Sequence, residues 1–370
     1  MFKKAVRPQT PADRVTISES GPCQKLVRLQ VPPETIAPVR AAVLGEYQKE
    51  ASLPGFRKGK APLELVEKHY AKPVQEETLR RMTQQTLEQV VKDHSLKPVG
   101  PFALSRADYQ DASGLTLEAS VEVEPEFALG AYRGIPLTRA SAGVSAEDVA
   151  QALAKLQESM AQLVPTAEGG PKERQVPPLD DELAKDLGFE TLEKLRAHVE
   201  AKLTEQQRSA QSRQLESALS DELLKRHAFA VPPQLVSHQT ERLTRDFKVR
   251  LVLAGRAEAE VDAEATKFTE QLRTNAERYV KLSFILDRIA ERESVAITQD
   301  EVVNHLWQVA RRWQKDPSEV KKVFDTQGLW PSVVSTIRQE KTVTLLLGAA
   351  KITNGTAQPI ATSGEVKSQK

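Results

Sequence analysis

Cysteine is nearly missing from this 370-residue chain, in which Cys23 is the only one. One thiol cannot close an internal disulfide, and without a CxxC the common structural zinc frameworks are excluded. The six histidines, His69, His94, His198, His227, His238 and His305, show no HExxH or paired Cys/His spacing, so they read as surface or packing residues. Aromatics make up only 5% and methionines number three, which excludes a thick aromatic core and a methionine-lined surface. Charge of one sign is also lacking: 52 basic against 51 acidic side chains leave a net charge of +1. A protein held by bulk attraction to nucleic acid would be far more basic, so any such contact is expected to be a local patch. No apolar run approaches the roughly 18 residues of a membrane span. The start, Met1 to Pro8, is basic but has no apolar segment behind it, so no secretory signal is expected. The single thiol fits a reducing compartment, and the cytoplasm is the expected location. GxSxG, P-loop and GxGxxG patterns are missing too, so no cofactor and no catalytic group are expected.

What remains is 39% hydrophobic and 28% charged, a balance that suits long helices with wet faces. The first third mixes periods. Residues 14–18 and 25–31 alternate, as in Val15/Ile17 and Val27/Leu29/Val31, around the turn-like Glu19-Ser20-Gly21-Pro22. A helix is expected over 33–51 from Ile36, Val39, Val43 and Tyr47, with Pro38 near its first turn. A loop over 53–62 precedes helices at 63–70 and 73–94. A second strand pair, 102–108 and 115–124, follows the breaker Pro98-Val99-Gly100-Pro101. Strands, helices and strands in that order predict a small α+β domain over residues 1–130.

The rest reads as helix. Ser145 with early acids starts one helix, whose Val149, Leu153, Leu156, Met160 and Leu163 form a stripe. Residues 165–178 read as a short loop. Helical patterns then cover 180–187, 191–227, 232–254, 260–292, 298–314, 317–324 and 330–350. In 260–292, Phe268, Leu272, Tyr279, Leu282, Leu286 and Ile289 keep near-heptad spacing, which predicts one helix packed on a neighbour. Asp180, Asp181 and Glu182 read as helix-start acids and not as an acid/base pair. Trp307, Trp313 and Trp330 are expected to anchor helices. The polar residues 354–370 read as a disordered tail.

The most informative segment is Gly55-Phe56-Arg57-Lys58-Gly59-Lys60. Two glycines permit tight turns, an aromatic sits between them, and three cations surround it. An exposed Phe beside a guanidinium fits a docking tip, with an apolar anchor and charges for carboxylates or phosphates. The alternative is an ordinary basic turn with Phe56 folded back on its own domain.

The longer run Leu53 to Pro62 resembles the signature loop of the trigger factors, in which such a loop docks beside the nascent-chain exit of the large ribosomal subunit. Phe56, Arg57 and Lys58 match the family's tip residue by residue. Leu29-Gln30-Val31-Pro32, Leu65 to Tyr70 and Val121 to Phe127 with Leu129-Gly130 are similar as well. So, more weakly, are Tyr132-Arg133-Gly134-Ile135, Leu179 to Lys185, Val231 to Val236, residues 280–293, Glu340-Lys341 and Ala350 to Thr353.

The resemblance implies an α+β ribosome-docking domain (1–130) followed by an elongated all-α domain with helical arms (179–353). Residues 131–178 would be a linker whose 131–165 packs on the helical domain. Between Val164-Pro165 and Leu179-Asp180 the family carries an FKBP-like prolyl isomerase of about a hundred residues, an ordinary domain size. Here only Thr166 to Pro178 lies in the gap, so that activity is not implied. The implied function is a chaperone that binds nascent and unfolded polypeptides at the tunnel exit, with an exit-site ribosomal protein and nearby rRNA as partners. No membrane partner is implied, and a homodimer away from the ribosome stays open. Two other readings also stay open: an isomerase working through an unrecognised cleft, and a helical chaperone or assembly factor that never meets ribosomes.

Overall fold

A computed structural model describes residues 15–110, 113–140, 143–165 and 172–355. The expected tail past Gly355 lies outside them.

The first hairpin joins β1 (Val15–Gly21) to β2 (Gln24–Val31). Its turn falls at Pro22-Cys23, slightly later than the polar cluster suggests. Cys23 takes a positive φ of 56°, a conformation usually left to glycine or asparagine. Helix α1 (Pro33–Glu50) follows, with Pro33 at its first position, where a missing N–H costs nothing. Then come α2 (Leu63–His69) and α3 (Ala71–Asp93). Strands β3 (Ala103–Gln110) and β4 (Gly114–Glu122) complete an antiparallel sheet of order β1-β2-β4-β3. Its register pairs Val27 with Ala119, Leu29 with Leu117 and Val31 with Leu115. The alternation read from the sequence therefore points one face inward. There α1 and α3 cover it with Ile36, Met82, Leu87 and Val90.

The remaining elements are β5 (Pro136–Arg139), α4 (Ala146–Ser159), β6 (Gln162–Pro165), β7 (Lys172–Gln175), α5 (Asp181–Asp186), α6 (Leu192–Arg226), α7 (Pro233–Leu253), α8 (Glu258–Lys267), α9 (Thr269–Arg292), α10 (Gln299–Trp313), α11 (Pro317–Gln327), α12 (Trp330–Gly348) and β8 (Lys351–Asn354). Ser145 and Asp148 form a reciprocal capping box on α4, as do Thr298 and Glu301 on α10. Asp180 accepts the Glu182 and Leu183 amides at 3.0 Å, the capping role expected of it. Asp181 reaches further and accepts the Leu192 amide at 2.7 Å, at the start of α6.

Three features depart from the sequence reading. The segment read as a loop over 165–178 is flanked and partly occupied by an antiparallel ribbon, β6 with β7. Strands β5 and β8 pair in parallel, Leu137 beside Ile352, although neither was expected. The helix expected over 260–292 is divided at Phe268 into α8 and α9. Its stripe is not wholly inward: Leu286 and Ile289 are buried, whereas Phe268 and Tyr279 are exposed.

The chain gathers into two compact units. One holds Met1–Ala128 with His227–Ile285, the other Leu129–Arg226 with Leu286–Lys370. Residues 227–285, within the region read as helical, thus gather with the sheet. In that first unit the buried Glu122 on β4 accepts the Gln234 amide at 2.8 Å, at the start of α7. Phe127 stacks on Phe229 at 4.1 Å. Val231, Val236, Ala276 and Val280 form a separate small core between α7 and α9. In the second unit, Leu153, Ala184 and Leu195 are packed by α4, α5 and α6. Ala310, Val320, Phe324, Val333 and Ile337 form the core of α10 to α12. Glu293 at the end of α9 accepts from the Tyr132 hydroxyl at 2.7 Å and from the Arg133 guanidinium.

Candidate functional site

Helix α1 runs into the loop at Ala51, whose amide still donates to the Tyr47 carbonyl at 2.8 Å. Two tight turns follow back to back. The Phe56 amide donates to the Leu53 carbonyl at 3.1 Å, and the Lys60 amide to the Arg57 carbonyl at 2.9 Å. The third residue of each turn is a glycine with positive φ, Gly55 at 87° and Gly59 at 78°. That is the position and sign a type II turn demands, and any side chain there is strained. The sequence puts glycine at both places, so Phe56, Arg57 and Lys58 sit at the junction between turns.

The base of the loop is pinned. Ala51, Ala61 and Val66 are buried, with Leu44, Tyr47, Leu53 and Tyr70 packed on them. Gln48 Nε2 donates to the Ala61 carbonyl at 2.7 Å. Gly59 lies so close to α1 that an added Cβ would stand 3.1 Å from the Lys49 carbonyl oxygen. A small core and two obligatory turns therefore hold the tip, which is not a slack strand of surface chain.

What the tip presents is unusual for a surface. Phe56 is 41% exposed, so it is not folded back onto its domain. Arg57, Lys58 and Lys60 are exposed and make no ion pair among the described residues. Nearby, Arg40 on α1 pairs with Glu67 on α2 at 2.9 Å, so cations with a local role do find carboxylates here. Leu63 and Leu65, at the start of α2, are also exposed. The structure thus brings Gly55, Phe56, Arg57, Lys58, Gly59 and Lys60 together as one apolar and cationic projection.

Burial, and secondarily Glu122, push the Cys23 thiol pKa up, so thiolate is disfavoured. Its Sγ donates to the Ala230 carbonyl at 3.2 Å. Buried His227 lies edge-on to Phe127, with ring centres 6.1 Å apart. Among the described residues no group of three His, Cys, Asp or Glu could hold a metal. No described helix is long and apolar enough to cross a membrane.

Residues with functional potential also occur where helical periodicity carries no separate signal. Val249, Val252 and Leu253 are exposed at the end of α7, Leu253 by 81%. Of the tryptophans, Trp330 anchors as expected, with its ring against Phe324 and its Nε1 donating to Asp325 at 2.7 Å. Trp313 is partly exposed and touches Phe324 edge-on. Trp307 is 58% exposed, contrary to the anchoring role read for it. Core and exposed stripes share one helical period, so burial alone separates them.

Comparison with known proteins adds a separate line of observation. Residues 14–156 match the family model described as bacterial trigger factor protein, and residues 191–348 match the model of that protein's C-terminus. Trigger factor from Citrifermentans bemidjiense is 22% identical over 426 residues, covering 92% of this chain and 98% of the relative. Trigger factor from an Anaeromyxobacter species, strain Fw109-5, is 24% identical over 426 residues, covering 92% and 99%. A solved structure, reported under promiscuous substrate recognition in the folding and assembly activities of the trigger factor chaperone, superposes with a TM-score of 0.54. It is 19% identical and covers 90% of this chain and 99% of that one, a likeness of fold. The aligned span exceeds the 370 residues of this chain, so part of those relatives has no counterpart here.

Proposed function

Since the chain belongs to the bacterial trigger factor family and is, with it, a ribosome-associated chaperone, we propose that it docks through Phe56, Arg57 and Lys58 and holds unfolded chains without isomerising their prolines. The observation that carries the docking assignment is the pinned tip of two glycine turns, with Phe56 exposed and three cations that form no ion pair among the described residues. Phe56 would enter an apolar pocket on an exit-site protein, while Arg57, Lys58 and Lys60 pair with acidic groups or rRNA phosphates around it. Gly55 and Gly59 set the geometry of the two turns.

Holding needs exposed apolar surface that is weak at each point and broad in sum. Val249, Val252, Leu253 and Phe268, exposed on and after α7, supply such surface in the first unit. Docking would concentrate these weak sites beside an emerging chain. The lack of isomerase activity is inferred from chain length. Only residues 157–190 lie between the two family matches, and α5 and the β6–β7 ribbon occupy part of them. An isomerase module of about 100 residues does not fit there. The cytoplasm, where ribosomes make soluble proteins, is the location this reading requires.

The test is ribosome co-sedimentation of the full chain with Phe56, Arg57 and Lys58 all replaced by Ala. Loss of an aromatic anchor and two cations is expected to cost about 2 kcal/mol or more, roughly 30-fold in affinity. Wild-type binding should also weaken with added salt. Undiminished co-sedimentation of the folded variant would refute the docking assignment.

A further inference from the structure

Between Arg311 and Lys322 the chain carries five cations, Arg311, Arg312, Lys315, Lys321 and Lys322, against two carboxylates, Asp316 and Glu319. All five cations are exposed, and none forms an ion pair among the described residues. Elsewhere exposed cations do find acids, as Arg28 finds Glu118 at 2.7 Å and Lys248 finds Asp262 at 2.7 Å. The Asp316 carboxylate is engaged locally, accepting the Ser318 amide at 2.8 Å as the cap of α11. Arg311 and Arg312 lie in the last turn of α10, where cations complement the helix dipole. That role does not extend to Lys321 and Lys322, which stand in the middle of α11. Trp313 ends α10 within the same group. It is 46% exposed, and its ring meets Phe324 edge-on with centres 6.2 Å apart. Phe324 follows Lys321 by three residues, which makes the two neighbours on α11. The corner where α10 turns into α11 thus sets a partly exposed indole among cations.

An aromatic ring among cations is what grips single-stranded nucleic acid: a base stacks on the ring and the flanking phosphates meet the charges. A chain of net charge +1 has no bulk attraction for such a ligand, so the attraction has to be local, as it is at this corner. We propose that the α10–α11 corner binds single-stranded or looped RNA. One base lies on Trp313, and the phosphates to either side meet Arg312, Lys315, Lys321 and Lys322. Arg311 adds to the local field. An acidic peptide would meet the cations and leave the indole without a planar partner, which is why RNA is the better fit. The proposal deepens the chaperone reading above, because the RNA that a ribosome-associated chaperone meets is ribosomal. It rests on that reading only for which RNA the corner meets, and it does not depend on the docking loop.

The experiment is fluorescence anisotropy with the full chain and three labelled probes: a twenty-nucleotide single-stranded RNA, an RNA duplex of the same length and a ten-residue glutamate peptide. Every protein carries Phe56→Ala, Arg57→Ala and Lys58→Ala, which removes the ring and two cations of the docking tip. On that background the single strand should bind at least fivefold more tightly than either other probe. Lys321→Gln together with Lys322→Gln should weaken it at least fivefold. The pair should also lower the slope of log affinity against log salt by about 1.4, at about 0.7 for each phosphate contact. Both lysines lie outside the core of α10 to α12, so that result does not turn on folding. Trp313→Leu should weaken the single strand at least fivefold and leave the duplex unchanged, which loss of fold would not do. Single-strand affinity unchanged in the lysine variant would overturn the proposal. So would equal affinity for the single strand and the duplex, or for the single strand and the glutamate peptide. Ribosome co-sedimentation reads the docking tip and this titration reads the corner, so a failure of either is seen by itself.

Discussion

Glu77 on α3 accepts from Arg80 Nε and Nη2 at 2.8 and 2.7 Å and from Arg81 Nε at 2.6 Å. Arg81 in turn grips Glu46 of α1 through both terminal nitrogens. Bonds first from Arg80 and then from Arg81 lower the Glu77 carboxyl from 4.5 to about 2. The folded value lies below the unfolded one. The stabilisation is therefore complete above the ordinary carboxylate range, and it is lost as pH falls from about 4.5 towards 2. Glu46 is shifted the same way by Arg81. Urea unfolding of the full chain is expected to show stability falling across that window. Glu77→Gln should flatten the fall, and salt should weaken the effect because the cluster is wet. An identical pH profile for wild type and variant would contradict this. At the same scale, the loop residues are legible from composition, because a type II turn leaves glycine little competition at Gly55 and Gly59. That these cations form no ion pair among the described residues is not legible, since Glu50, Glu64 and Glu67 lie close in sequence and only geometry shows that Glu67 meets Arg40 instead.

Among elements, α7 has a start that depends on a distant residue. Pro233 supplies no amide, no side chain on α7 caps the helix, and the Gln234 amide is met by Glu122 from β4, 112 residues away. Because Glu122 is buried, truncating it leaves that amide unsatisfied, at a cost of about 1–3 kcal/mol. Glu122→Ala should lower the urea midpoint accordingly and speed amide exchange at Gln234. Glu122→Gln, which keeps an acceptor oxygen, should do much less, and equal effects of the two variants would argue against the cap. Periodicity revealed the long helices and the β2 and β4 strands because each repeats its pattern over eight residues or more. It missed β5 and β8, which are four residues each and have no length in which to repeat. The division at Phe268 was hidden for the opposite reason: one turn residue barely disturbs a period of 3.6, and the Phe268 amide still bonds to Glu264 at 3.2 Å.

For the whole molecule, the expected pairing of properties is holding without isomerisation. The full chain should suppress aggregation of an unfolded model protein, as followed by light scattering, and the loop variant should do so equally in the absence of ribosomes. Neither should accelerate a refolding reaction limited by proline isomerisation, which runs at its own pace of tens of seconds. Acceleration that survives repurification would overturn the second expectation. One further consequence comes from the parallel pairing of β5 with β8. The hydroxyl of Thr353 donates to the carbonyl of Leu137 across 216 positions of sequence. A polypeptide emerges from its amino end at roughly 5–20 residues per second, so β5 waits about 10–40 s before its partner has been made. This guardian of unfinished chains is, for that interval, an unfinished chain itself, with an open edge that an older copy would be suited to shelter.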